Sequence, residues 1–161
     1  MGRLAVEFAV LTAARSGEVR EAVWKEFDVE RKLWTIPADR MKAGREHVVP
    51  LSGPALKVLK RCACFRTEGE HLVFRGTRSG QSLSDMTLMK VLRDMKKPYT
   101  VHGFRSAFRD WVSEETAFPG ELAEAALAHA VRDKTEAAYR RGSLLEKRRS
   151  LMEQWAGFCT A

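Results

Sequence analysis

One stretch near the front of the chain constrains the fold most. From Leu4 to Ala14 only Glu7 and Thr12 interrupt an apolar run that includes Val6, Phe8, Val10 and Leu11. A helix that is apolar nearly all round must be covered nearly all round, so the run predicts a buried helix with other elements packed about it. The rest of the chain can supply that cover. Of its 161 residues, 45% are hydrophobic and 30% are charged, a balance that supports an ordered core. The length suits a single domain over residues 1–161.

The charge balance narrows the partner. Lys and Arg number 28 against 21 Asp and Glu, a net charge of +7, which favours a polyanion such as DNA or RNA. Charge alone fits a merely soluble basic protein equally well. The cysteines are Cys62, Cys64 and Cys159. An odd count and a lone C-x-C, with no second pair and no histidine cluster nearby, argue against a disulfide framework and against zinc. No apolar stretch reaches membrane-spanning length. Met1-Gly2-Arg3-Leu4 runs straight into a helical pattern, with no visible leader. The start therefore reads as that of an excised domain, and reduced cysteines point to the cytoplasm.

Further elements follow from punctuation and periodicity. Arg15-Ser16-Gly17-Glu18 breaks the first helix, and Ser16 can cap a short second one through Val23 and Trp24. Lys32 to Met41 and Glu46 to Leu51 read as two strands, with Lys42-Ala43-Gly44-Arg45 as a hairpin turn between them. Ser52 caps a helix containing Leu56, Val58 and Leu59. His71 to Phe74 is a short strand candidate, followed by a basic loop from Arg75 to Gln81, and Ser84 caps a helix ending near Met95. Thr100 caps a helix with Val101, Phe104, Phe108 and Trp111 or Val112 on one face, and Pro119 opens an alanine-rich helix through Ala128. Thr135 starts a short helix carrying Tyr139, which Gly142 interrupts. Leu144, Leu151, Trp155 and Phe158 form the apolar stripe of a last helix. The expected class is mainly α with a small antiparallel β-sheet (α+β).

Some polar residues beside these apolar elements form a chemical set. Arg15 directly follows the buried helix, His102 and Arg105 are three apart and share a helix face, His129 ends the alanine helix, and Tyr139 follows on a short helix. Arginine forks bind non-bridging phosphate oxygens and stabilise a pentacovalent transition state. Histidine moves protons near neutral pH, and a tyrosine hydroxyl can form a covalent phosphotyrosine. Taken singly, each has an ordinary explanation: an ion pair with Glu18 for Arg15, a capping role for His102, a packed or exposed ring for His129, a core aromatic for Tyr139. Their ordered combination outweighs those explanations.

The combination resembles the tyrosine recombinases of the phage-integrase family over nearly the whole chain. Leu11-Thr12-Ala13-Ala14-Arg15-Ser16-Gly17-Glu18 is similar to the first arginine motif of that family, and His102-Gly103-Phe104-Arg105 to its H-x-x-R box. Leu127-Ala128-His129 matches its second His (or Trp), Glu136-Ala137-Ala138-Tyr139-Arg140-Arg141 its nucleophile segment, and Lys42 in Arg40-Met41-Lys42 its catalytic lysine. Leu33-Trp34-Thr35-Ile36-Pro37, Phe108-Arg109-Asp110-Trp111 and Glu146-Lys147-Arg148-Arg149 further resemble integrases of prophages and genomic islands.

The resemblance implies the recombinase catalytic-domain fold and a chemistry without metal or other cofactor. Tyr139 attacks the scissile phosphate and becomes linked to a DNA 3′ end. Arg15 and Arg105 clamp the phosphate. His102 serves as general base or phosphate ligand, His129 hydrogen-bonds a phosphate oxygen, and Lys42 protonates the leaving 5′ oxygen. Glu18 orients Arg15. The implied partners are double-stranded DNA at attachment sites and other protomers in a tetrameric synapse of the full-length protein, with no membrane, in a nucleoid-associated setting. The family's N-terminal core-binding and arm-binding domains have no counterpart in these residues. Two other readings remain open: a type IB topoisomerase, which shares a similar catalytic domain, and a non-catalytic DNA-binding module resting on the basic run Arg140, Arg141, Lys147, Arg148, Arg149.

Overall fold

The computed structural model describes residues 1–78, 80–129 and 141–161. The apolar run forms helix α1, Gly2–Thr12, in which Leu4, Ala5, Val6, Phe8, Ala9 and Leu11 are all buried. It ends because Ala13 turns into the left-handed region at φ 50°, a place glycine usually fills. Helix α2, Ser16–Arg20, follows at once. Its cap differs from the expected one. Arg15 is the N-cap residue and Ser16 the first helical residue, because the Glu18 carboxylate reaches back to the Arg15 backbone N–H at 2.8 Å.

Three short strands form one antiparallel sheet in the order β1 (Phe27–Asp28), β2 (Leu33–Ile36), β3 (His47–Pro50). Leu33 pairs with Pro50 and Ile36 with His47, so the expected hairpin is present. Its connection is longer than a tight turn. Residues 37–46 include a 3₁₀ turn, Ala38–Arg40, and a left-handed Gly44. Arg40 pins that turn by an ion pair to Glu26 and a 2.6 Å hydrogen bond to the Glu18 carbonyl. The candidate strand at His71–Phe74 reduces to a single bridge between Leu72 and Val23.

The remaining helices are α3 (Gly53–Ala63), α4 (Thr87–Asp94), α5 (Val101–Glu115), α6 (Gly120–Ala126) and α7 (Arg141–Thr160). Ser52 and Thr100 cap α3 and α5 as expected, the Thr100 hydroxyl accepting from Gly103 N at 2.9 Å. Ser84 instead bonds the Thr87 hydroxyl, and Met86 occupies the N-cap of α4. Gly142 is the second residue of α7, and the Tyr139 segment that it is expected to interrupt lies outside the described residues. A helical backbone accepts a lone glycine at modest cost.

Two apolar clusters organise these parts. In the first, Phe8 of α1 lies between the rings of Trp34 and Phe74, each with its centroid 5.4 Å away, and the sheet, α3 and α4 close around it. The second gathers Phe108, Trp111 and Val112 of α5, Leu122 and Ala126 of α6, and Leu151, Met152 and Trp155 of α7. Trp155 also donates its indole N–H to the Val10 carbonyl at 2.7 Å, so α7 docks on its own chain. Phe158, the outer end of the expected stripe, is exposed. The end of α1 sits at the seam of the two clusters, where the site forms. Among the described residues, no helix is long and apolar enough to cross a membrane.

Candidate active site

Arg105 is the centre of the site. It is buried on α5, and burial requires its donors to find acceptors. It donates to the Ala13 carbonyl at the end of α1 and, at 2.7 Å, to the Leu127 carbonyl at the end of α6. Helix C-termini carry partial negative charge, so a guanidinium there is favourably placed. Loss of water, and secondarily the like charge of Arg15, lower the Arg105 pKa to about 10. It stays charged near neutral pH, yet is undersupplied with negative charge. Each Nη nitrogen has a second N–H beyond the one given to a carbonyl.

Arg15 faces the same seam. Glu18, itself buried, grips it twice: Oε2 accepts from the backbone N–H and Oε1 from Nη1 at 2.7 Å. Glu18 thus holds both the backbone and the guanidinium of Arg15, the geometry expected of a residue that orients it. His129 enters from the other side. Ala128 is left-handed at φ 51°, His129 N donates to Glu124 O at 3.0 Å and Ala128 N to Ala125 O at 3.3 Å. This is the Schellman closure of α6. It swings the imidazole back, so that Nε2 lies 3.5 Å from Arg105 Nη2 and Nδ1 lies 2.7 Å from Glu124 Oε2.

The structure therefore brings Arg15, Glu18, Arg105 and His129 together. His102 is exposed on the first turn of α5, and Lys42 is exposed in the connection between β2 and β3. Among the described residues, no hydrogen bond or ion pair joins either to the cluster. Tyr139 and Arg140 lie outside the described residues. Nor do the described residues hold a group of three or more His, Cys, Asp or Glu that could bind a metal.

Several contacts of this neighbourhood carry no sequence signal. The end of α6 presents three consecutive carbonyls to three different elements: Ala125 O to Arg148 of α7, Ala126 O to His47 of β3 and Leu127 O to Arg105 of α5. Glu124 also pairs with Arg109 at 2.7 Å. His47 gives this clasp a measurable pH dependence. Burial, then the charge of Arg148, lowers its pKa from 6.5 to about 4. The folded ring is neutral where the unfolded ring takes a proton, so stability falls as pH drops from about 6.5 to about 4. At about 1.4 kcal/mol per unit, the loss approaches 3 kcal/mol. His47→Gln keeps an N–H for Ala126 O but does not titrate. Urea unfolding at pH 7 and pH 4 is expected to show wild type losing about 3 kcal/mol more than the variant. Parallel losses would mean that His47 is not held neutral.

Comparison with known proteins identifies the family. The model of the phage integrase family matches residues 1–144. Prophage integrase IntA of Escherichia coli (strain K12) is 35% identical over 154 residues, covering 94% of this chain and 37% of that protein. The integrase of Enterobacteria phage P4 is 35% identical over 176 residues, covering 98% and 40% respectively. The chain thus spans about two fifths of the length of these relatives. Among solved structures, XerA recombinase superposes with a TM-score of 0.63 at 18% identity, over 92% of this chain and 62% of that one. XerH site-specific recombinase bound to difH substrate gives 0.57 at 18% identity, over 86% and 44%. The structural likeness establishes the recombinase fold, and with the family model matched across residues 1–144, the chain belongs to the phage integrase family.

Proposed function

We propose that residues 1–161 are a catalytic domain for site-specific recombination, cutting and rejoining double-stranded DNA through a 3′-phosphotyrosine on Tyr139. One observation carries the reading. Side chains from three separated stretches meet at a buried, under-neutralised guanidinium: Arg15 held by Glu18, Arg105 itself, and His129. A phosphodiester supplies the missing negative charge. Arg15 and Arg105 bind its non-bridging oxygens, and His129 hydrogen-bonds one of them. His102, on the exposed end of the same helix, acts as general base or phosphate ligand. Tyr139 attacks phosphorus, the bond to the 5′ oxygen breaks, and Lys42 gives that oxygen its proton. Rejoining reverses the step. The arginines provide the charge for which other phosphoryl-transfer enzymes use a metal. The setting proposed is the bacterial cytoplasm, at the nucleoid. The full-length protein on DNA assembles with other protomers as a tetramer.

A nicked duplex tests the reading. Duplexes spanning both junctions of the DNA element that encodes the chain lose the short 5′-hydroxyl strand after cleavage and cannot be resealed. A protein–DNA adduct on a denaturing gel is the expected result, equal in EDTA and in magnesium at matched ionic strength. Stable binding without an adduct would favour the DNA-binding module. Relaxation of supercoiled plasmid without strand exchange between two junction duplexes would favour the topoisomerase.

Lys42 has its own test. Lys42→Ala is expected to slow adduct formation by ~10²-fold on ordinary DNA, within the range that a positioned proton donor contributes. A 5′-bridging phosphorothioate is expected to restore most of the rate, because a thiolate leaves without a proton. A variant equally slow on both substrates would remove Lys42 from the general-acid role.

A further inference from the structure

The two ring nitrogens of His129 meet chemically opposite neighbours. Nδ1 is 2.7 Å from a Glu124 carboxylate oxygen, whereas Nε2 is 3.5 Å from Nη2 of Arg105. A carboxylate only accepts and a guanidinium only donates. The neighbours therefore fix the proton of the neutral ring on Nδ1, and leave the Nε2 lone pair facing Arg105. Glu124 is held in turn. Its other oxygen pairs with Arg109 Nε at 2.7 Å, and its backbone carbonyl accepts from His129 N in the Schellman closure. Partial burial works against its charge. The hydrogen bond from His129 and the charge of Arg109 outweigh that cost and hold the carboxyl below its usual pKa. Glu124 is thus an ionised acceptor at neutral pH.

We propose that Glu124 is a positioning residue for DNA cleavage: it orients the His129 imidazole through Nδ1, so that Nε2 is the ring atom presented to the phosphate beside Arg105. The proposal rests on the reading of His129 as a phosphate ligand. A proton taken from solvent onto Nε2 makes that atom a donor to a phosphate oxygen, while Nδ1–H stays with Glu124. Without the carboxylate the ring can rotate, and Nε2 is no longer held toward the phosphate beside Arg105.

The orientation can be read without DNA. The chain holds only four histidines, His47, His71, His102 and His129, and loss of one signal in His129→Gln assigns its ring in a ¹⁵N-histidine NMR spectrum. Spectra are taken at alkaline pH, and the ¹⁵N shifts of each ring show when it is neutral. Free imidazole favours the Nε2–H form, so Nδ1–H is diagnostic. It is expected for His129 in wild type and in Glu124→Gln, whose amide oxygen still accepts, but not in Glu124→Leu. Adduct formation on the nicked duplex supplies the second reading. Glu124→Leu is expected to cost about tenfold, a fraction of the ~10²–10⁴-fold such groups contribute, and Glu124→Gln less than about threefold. In a His129→Trp background Glu124→Leu is expected to cost nothing further, because an indole has one N–H and no use for the carboxylate. An Nε2–H ring in wild type would overturn the proposal, as would an equal loss from Glu124→Leu in both backgrounds. An Nδ1–H ring in a protein whose cleavage ignores His129→Gln would overturn the underlying reading of His129, and the proposal with it.

Discussion

Replacing Arg105 by alanine is expected to slow DNA cleavage by ~10²–10³-fold, the scale on which a single transition-state donor acts in a water-poor site. The side chain is buried, and it is already held by the carbonyls of Ala13 and Leu127. Its remaining N–H groups are therefore pre-aimed rather than waving in solvent. Preorganisation of this kind makes the electrostatic contribution large. The same two carbonyls predict a cost in stability, about 1–3 kcal/mol for each acceptor left unsatisfied. Arg105→Lys separates the effects. Lysine keeps the charge but has no planar fork to reach both carbonyls and a phosphate oxygen at once. Single-turnover cleavage should be measured with the folded fraction followed by circular dichroism at the same temperature. Both variants are expected to stay slow after correction for unfolding. A folded Arg105→Ala protein cleaving within tenfold of wild type would make Arg105 a structural clasp and nothing more.

Trp155→Ala is expected to destabilise the protein by about 3–5 kcal/mol, as for other large buried aromatics. At roughly 2–4 °C per kcal/mol for a chain of this size, the melting temperature falls by on the order of 10 °C. Trp155 is 3% exposed, its ring packs against Phe108 and Trp111, and its N–H is satisfied by Val10 O. Phe158, one turn on, is 58% exposed, so Phe158→Ala is expected to cost less than about 1 kcal/mol. Thermal unfolding of both variants beside wild type checks the contrast. Equal, small shifts would mean that α7 is not docked in cis in the free protein.

Local chemistry made much of this fold legible. The apolar run of α1 announced a buried helix, the serine and threonine before α3 and α5 announced their starts, and the two strand-like runs flanking Lys42-Ala43-Gly44-Arg45 announced the sheet. Where expectation and structure part, another side chain decides. Ser16 lost its capping role to Glu18, and the Lys42 connection is shaped by Arg40 reaching Glu26 and Glu18.

The site was legible as a list of residues and not as a network. Arg15, Arg105 and His129 stand in recognisable motifs. The contacts of His47 and Arg148 are invisible from sequence because their partner is the backbone of α6. Glu124 and His129 are five apart, a spacing that does not align side chains on a regular helix. The left-handed Ala128 between them creates the contact, and no side-chain pattern announces a left-handed alanine.

Covalent trapping with residue mapping tests the central claim most directly. Adduct formed on the nicked junction duplex is digested with trypsin and nuclease, and the modified peptide is sequenced by mass spectrometry. The expected product carries a nucleotide 3′-phosphate on the hydroxyl of Tyr139. Tyr139→Phe, which loses one oxygen, should yield no adduct while shifting the same duplex in a native gel as wild type does. An adduct mapped to another residue, or one that persists in Tyr139→Phe, would contradict the account.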